Sequence, residues 1–276
     1  MTALDQRQRA MLQEMQVRVW WPDDLPAPQD SLAAAGPDPV AAVSALPVRA
    51  SPPARVVAPA GAPSAVMHGG ADRRPADIDA MDWSALAHTI STCDACQLCV
   101  GRKAAVFKAQ PDERQADWLV VGEPPDEQEE RTGMAFAGPS GQLLDNMLRA
   151  VQRTRDGAGS AGARLTNVVK CRPGVVRNPQ AEELAVCARY LRREITLTRP
   201  KLILAMGRFA AQSLLGTGHP ELAGLPFGKL RGQVHHHEGI PVVVTYHTSR
   251  LLRAPDDKAA AWADLCLAHE ATRAAT

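Results

Sequence analysis

The stretch Trp118-Leu119-Val120-Val121-Gly122-Glu123-Pro124-Pro125 runs four apolar residues into a glycine, an acid and two prolines. An apolar run of that length, rich in aromatic and β-branched residues, suits a strand buried on both faces. The prolines end it, since they cannot donate to a ladder and they bias the residue before them. Similar runs follow at Leu165 to Val169, Leu202 to Ala205 and Val242 to Thr245. Helical patterns separate them, at Gly141 to Val151, Ala181 to Leu197, Arg208 to Leu215 and Pro255 to Ala268, and a short helix from Trp83 to Ser91 comes first. This alternation predicts an α/β fold: three layers, α/β/α, around a central, mainly parallel four-stranded sheet. Ligands of such sheets bind at the carboxyl ends of the strands. Glu123, Asn167 and His247 each arrive at such an end.

The rest of the chain is organised around that domain, predicted to span 83–270. From Pro22 to Ala80 there are 11 prolines and 16 alanines in 59 residues. Such a segment has too few large apolar side chains to offset the entropy of ordering it, and reads as a linker over 22–80. Before it, Leu4, Met11, Leu12 and Met15 recur at roughly helical spacing, giving a short amphipathic helix within 1–21 that ends at Trp20-Trp21-Pro22. That helix either docks on its own domain or engages a partner protein.

Charge and composition exclude some classes. Of 276 residues 45% are hydrophobic, yet no apolar run approaches the ~20 residues of a membrane span. The polar start Asp5-Gln6-Arg7-Gln8-Arg9 lacks the apolar core of a signal peptide, so a cytoplasmic protein is expected. Net charge is +1 overall, but between Arg149 and Arg208 there are 13 basic and 4 acidic residues. That local excess is either a solvated surface or the footprint of a phosphate backbone.

Without an export signal, the cysteines at 93, 96, 99, 171, 187 and 266 read as thiols rather than disulfides. Cys93-Asp94-Ala95-Cys96 is a CxxC, Cys171 sits in Lys170-Cys171-Arg172-Pro173, and Cys187 follows sixteen residues later. Zinc, an iron–sulfur cluster, a redox pair and buried structural thiols all remain open on spacing alone. Cys99 and Cys266 read as core or spare thiols.

Three segments carry the chemistry. Gly122-Glu123-Pro124-Pro125 is followed by Gly133-Met134-Ala135-Phe136-Ala137-Gly138 and Gly141; the others are Leu165-Thr166-Asn167-Val168-Val169-Lys170-Cys171-Arg172-Pro173 and Thr245-Tyr246-His247-Thr248-Ser249-Arg250-Leu251-Leu252-Arg253. In this order, from about Cys93 to about Leu265, they resemble the family 4 uracil-DNA glycosylases, the iron–sulfur branch of the uracil-DNA glycosylase superfamily. The resemblance implies a uracil-DNA glycosylase-like fold, an N-glycosyl hydrolase of base excision repair, and a [4Fe–4S] cluster on Cys93, Cys96, Cys171 and Cys187. It implies that His247 donates a hydrogen bond to uracil O2 and that Glu123 stabilises the sugar cation or orients water. Asn167 would pair its amide donor and acceptor with uracil O4 and N3–H, Phe136 would stack on the flipped base, and the backbone from Gly122 to Pro124 would line the pocket. Leu251, with Arg250 beside it, would probe the duplex, and Arg253, Lys170 and Arg172 would meet DNA.

The chain departs from the family pattern at Pro124, Asp126, Ala135, Thr248 and Arg250, where the family has Gly or Ala, Gly, Pro, Pro, and an aromatic or small residue. The acidic run Asp126-Glu127-Gln128-Glu129-Glu130 reads as a solvated loop off the DNA path, and His235-His236-His237 as an exposed turn with no ligand role. Two other functions fit the same residues: a silent iron–sulfur DNA-binding scaffold, and an interaction protein whose N-terminal arm recruits repair or replication partners. A monomer working at the nucleoid is expected.

Overall fold

A computed structural model of the chain describes Glu14 and residues 77–108, 115–174, 177–216 and 225–274. The amphipathic segment and linker read at 1–21 and 22–80 lie, up to residue 76 and apart from the helical Glu14, outside the described residues. The chain separates into two units, Trp20–Gly69 and the rest, and no described residue falls in the first. Ile78, within the stretch read as linker, is fully buried and shares a core with Trp83, Leu86 and Tyr190.

The elements, in chain order, are α1 (Trp83–Thr92), β1 (Ala116–Gly122), α2 (Glu127–Thr132), α3 (Gly138–Ala150), β2 (Gly159–Asn167), α4 (Ala181–Thr198) and β3 (Leu202–Met206), then α5 (Arg208–Leu215), α6 (Phe227–Leu230), β4 (Val234–His237), β5 (Ile240–Thr245), α7 (Thr248–Arg253) and α8 (Lys258–Ala274). The sheet has five strands in the order β2-β1-β3-β5-β4. The β1–β2, β1–β3 and β3–β5 pairs are parallel, and β4 pairs antiparallel with β5. The expected class holds, but the strand count is corrected from four to five. The extra strand contains the histidines read as a turn: His235 faces Val242 and His237 faces Ile240. A short polar edge strand leaves no apolar alternation to read, because its pairing comes from register rather than burial.

Alternation along the strands builds two cores, one per face. Leu119, Val121, Ile203, Ala205, Val242 and Val244 pack with residues of α1, α4 and α5 and with Cys171 and Cys187. Trp118, Val120, Leu202, Leu204, Met206 and Val243 pack with residues of α3, α7 and α8. Chain order reverses between β1 and β3, so their carboxyl ends flank the crevice where ligands of open α/β sheets bind.

Candidate active site

Glu123 follows the last residue of β1 and lies across the start of α5. Its Oε1 accepts the Phe209 N–H at 2.8 Å. Gly207 makes room: its φ is +105°, and a Cβ there would run into the Glu123 carboxylate. Burial pushes the Glu123 carboxyl up to about 7, against the opposing pull of the Phe209 and Ala210 amides and Arg208.

His247 follows β5 and caps α7. Its Nδ1 accepts the Ser249 N–H at 3.3 Å and lies 2.8 Å from Ser249 Oγ. A backbone N–H can only donate, so Nδ1 carries no proton and the neutral ring holds its hydrogen on Nε2. That Nε2 is buried without a partner. Burial pushes the imidazole down to about 4, with Arg253 adding to the shift and Asp126 opposing it. The result is a neutral donor aimed at nothing in the protein.

Phe136 stacks on His247, with centroids 5.1 Å apart and planes 26° from parallel. Its backbone adopts φ +54°, a left-handed conformation that is strained for an aromatic residue. Gly122 lets this ring approach the strand end, since a Cβ there would lie 2.6 Å from Phe136 Cζ and 3.3 Å from His247 Nε2. Thr248, where the resemblance leads one to expect proline, is buried and sits 2.6 Å from Ser140 across the two hydroxyls. That contact fastens the histidine turn to the first turn of α3, just beyond Phe136.

Asn167 ends β2 opposite Gly122 and is fully buried. Its Nδ2 donates to Glu123 O at 2.9 Å and to Glu129 Oε1 at 3.1 Å, while Oδ1 has no partner. Within the protein the amide nitrogen thus meets two acceptors, and the oxygen is the atom left without a partner. The acidic run needs a correction. It forms α2, with Glu129 and Glu130 both 4% exposed, because Asp126 and Glu129 make a reciprocal capping box and Glu130 Oε1 accepts the Lys103 N–H at 3.0 Å. Glu129 went unread as a site residue, although the Asp-x-x-Glu spacing signals that cap.

A cleft of about 710 Å³ opens beside these groups, lined by Glu123, Pro124, Arg172, Arg208, Tyr246, His247, Arg250 and Arg253 among others. Arg172 ion-pairs with Glu130 at 3.4 Å and Glu127 at 3.6 Å. Arg250 pairs with Asp257 at 2.7 Å and lies over the Tyr246 ring. Two expected DNA contacts are corrected. Leu251 is fully buried in the core shared with α3 and α8, since the inward face of α7 takes it; Leu252 is the exposed leucine, at 45%. Lys170 is 1% exposed: its ammonium bonds Thr166 Oγ1 at 2.6 Å and Asn167 O at 2.8 Å and pairs with Glu194.

On one face of the sheet, Cys93 and Cys96 pack against the core that holds Cys171 and Cys187. Burial pushes the Cys96 thiol up to about 11 and Cys187 to about 12, with neighbouring cysteines raising both. Arg102 Nη1 donates to Cys171 Sγ at 3.1 Å. Among the described residues no three His, Cys, Asp or Glu side chains are arranged to hold a single metal ion. Two buried and two half-buried thiols on one core suit a soft thiophilic group, whose charge would keep the thiolates ionised. His235 Nε2 and His237 Nδ1 each bond a backbone carbonyl, of Leu230 at 2.8 Å and Leu214 at 2.6 Å, and bring no ligand to that site.

Comparison with known proteins bears on the same residues. A family model described as the uracil DNA glycosylase superfamily matches residues 109–266. The chain is 35% identical over 182 residues to the type-4 uracil-DNA glycosylase of Pyrobaculum aerophilum, covering 63% of this chain and 87% of that protein. It is 31% identical to the type-4 enzyme of Saccharolobus solfataricus, over 62% of this chain and 77% of the relative. With that of Thermotoga maritima the identity is 32%, over 61% and 82%.

Proposed function

The chain belongs to the uracil-DNA glycosylase superfamily, and from that premise we propose that it hydrolyses the N-glycosidic bond of deoxyuridine in DNA. The products are free uracil and an abasic site. The observation that carries this reading is two buried polar atoms without partners at the strand ends around Gly122: a donor, His247 Nε2–H beside Phe136, and an acceptor, Asn167 Oδ1 opposite Gly122. Uracil presents O2 next to N3–H on one edge, and that sequence complements the pair. Buried polar atoms without partners are costly, so a ligand that satisfies both is favoured.

The chemistry follows from the groups. The deoxyuridine is taken out of the stack, and its base lies against Phe136. As the C1′–N1 bond breaks, its electron pair moves to the uracil ring, and His247 Nε2–H stabilises the negative charge growing on O2. Ionised Glu123 stabilises the positive sugar and orients a water, whose hydroxyl adds to C1′ while the departing base takes up a proton. Arg172, Arg250 and Arg253 line the cleft as phosphate partners, and Leu252, rather than Leu251, is the side chain free to enter the gap left by the base. Cys93, Cys96, Cys171 and Cys187 would hold a [4Fe–4S] cluster, which supplies a cross-link between the α1 end, the Lys170–Arg172 segment and α4. On this reading the protein works as a monomer on DNA at the nucleoid, in the cytoplasm.

The test is an oligonucleotide with one uracil, incubated with iron-containing protein and then heated in alkali. A break at the uracil is expected, and none at thymine opposite guanine. DNA binding without a break favours the scaffold reading. The departures at Asp126 and Thr248 do not favour that reading, since each has found a structural partner, in Glu129 and Ser140.

A further inference from the structure

The cleft that holds Glu123 and His247 is also lined by three aromatic side chains: Phe209 in the first turn of α5, Phe227 at the start of α6 and Tyr246 just after β5. The chain has only four phenylalanines and two tyrosines, so half of these rings meet at one cleft. The hydrophobic effect alone would draw them into the core, yet all three stay partly buried at its edge. The wall they form is braced. The Phe227 and Tyr246 rings lie 5.6 Å apart and 42° from parallel. The guanidinium carbons of Arg231 and Arg250 stand 4.0 and 4.7 Å from the Tyr246 centroid, and Asp264 and Asp257 hold those two arginines at 2.7 Å each. At the other end Arg208 lies 4.9 Å over Phe209. Side chains fixed in this way lose little freedom when a ligand arrives.

We propose that the Phe227–Tyr246 wall is a stacking site for an unpaired base next to the target uridine, with Arg208 and Arg250 on the phosphates beside it. The inference rests on the uracil reading above and deepens it, by naming single-stranded DNA as the substrate class that this cleft fits best. Continuity and charge fix the occupant. A strand whose uridine enters the site of Glu123 and His247 carries its next nucleotide along the same cleft, past cations suited to its phosphates. Rings edged by arginines hold single strands in this way, since every base has a face to stack and none is read by hydrogen bonds. In a duplex the neighbours of a flipped nucleotide stay paired and stacked, so the wall gains no base. In a single strand a neighbour leaves its stack at lower cost.

The first experiment uses the full chain unaltered, in single-turnover excision at limiting enzyme from single strands that lack the base on the 5′ or the 3′ side of the uridine. On one side the loss should slow excision by about tenfold, the worth of one stacked base; rates within threefold of the parent strand on both sides overturn the proposal. Binding is followed separately, with 2-aminopurine on the sensitive side of a 2′-fluoroarabino uridine, whose fluorine destabilises the sugar cation and blocks hydrolysis. Quenching of 2-aminopurine by a protein that excises nothing would retain the wall and end the glycosylase reading. Excision without quenching would end the wall alone.

The second experiment compares Phe227→Leu, which keeps an apolar side chain and removes the ring face, with Phe227→Tyr, which keeps the face. The leucine variant should lose the quenching, and its ratio of single-strand to duplex excision should fall by about tenfold, mostly through KM; the tyrosine variant should recover both. A side chain that only packs would lower both substrates together. An unchanged ratio in the leucine variant, or equal losses in the two variants, overturns the stacking role.

Discussion

The base pocket lies at the carboxyl ends of the strands and the thiol site on one face of the same sheet, yet they are held together in different ways. In the pocket, each working side chain is fixed by the chain itself: His247 by Ser249, Asn167 by Glu123 and Glu129, and Phe136 by Glu129. The atoms left over, His247 Nε2 and Asn167 Oδ1, are the ones a ligand needs. Around the thiols the protein supplies packing, the Arg102 hydrogen bond to Cys171, backbone hydrogen bonds from Leu98 to Cys96 and from Lys170 to Cys187, and the Lys170 charge near Cys187. The pocket is organised by its own hydrogen bonds, whereas order at the thiol site would be linked to a cluster on the proposed reading. Lys170 stands between the two, next to Cys171 in the chain and bonded to Asn167 O.

The largest expected effect comes from breaking that junction. Lys170→Met leaves Glu194 buried without its cation, and denaturant unfolding is expected to show a loss of about 3–5 kcal/mol. The salt dependence of DNA binding should stay as it was, since Lys170 meets no solvent; a reduced slope would restore it to the DNA surface. Next comes His247→Ala, expected to slow excision by at least about 100-fold, or about 2.7 kcal/mol of barrier, while costing only the ~1 kcal/mol of a lost helix cap. Equal losses of rate and fold stability would erase the contrast between a preorganised pocket and its surroundings.

A smaller effect is the pH profile. With the Glu123 carboxyl at about 7, excision should rise up to about tenfold between pH 6 and 8 as it ionises, and Glu123→Gln should flatten that limb. His247, held at about 4, stays neutral throughout. The stability signs are opposite. Native Glu123 holds its proton more tightly than the unfolded chain, so raising the pH from 4.5 to about 7 weakens the fold through this group. Native His247 holds its proton less tightly, so lowering the pH from 6.5 to about 4 weakens it. The smallest effect is at the Ser140–Thr248 contact. Thr248→Val should cost about 1 kcal/mol and a few-fold in rate, and Thr248→Ser should recover both; no difference between the two would leave the hydroxyl without a role.

Most of the architecture was legible because it rests on burial. The strands at Trp118 and Leu202 are continuous apolar runs, and the helices have apolar faces that match the two cores. What escaped was set by pairing rather than by pattern. Strand β4 is polar and acquires its state from β5. Among site residues, Phe136 came from the resemblance, and position in the chain located Glu123, Asn167 and His247 at strand ends. It could not reveal which end of the Asn167 amide faces inward, because that depends on Glu129, thirty-eight residues away. Leu251 and Leu252 are chemically identical, and only the direction of α7 separates the buried one from the exposed one. Lys170 read as a surface cation because its partner Glu194 lies far along the chain, on α4.

The most direct test of the account is the nitrogen spectrum of full-length protein labelled at histidine, recorded at neutral pH with and without uracil. The account predicts a His247 ring that is neutral, protonated at Nε2 and bare at Nδ1, with the Nε2–H resonance moving when uracil is added. An imidazolium, a proton on Nδ1, or a ring indifferent to uracil would contradict it.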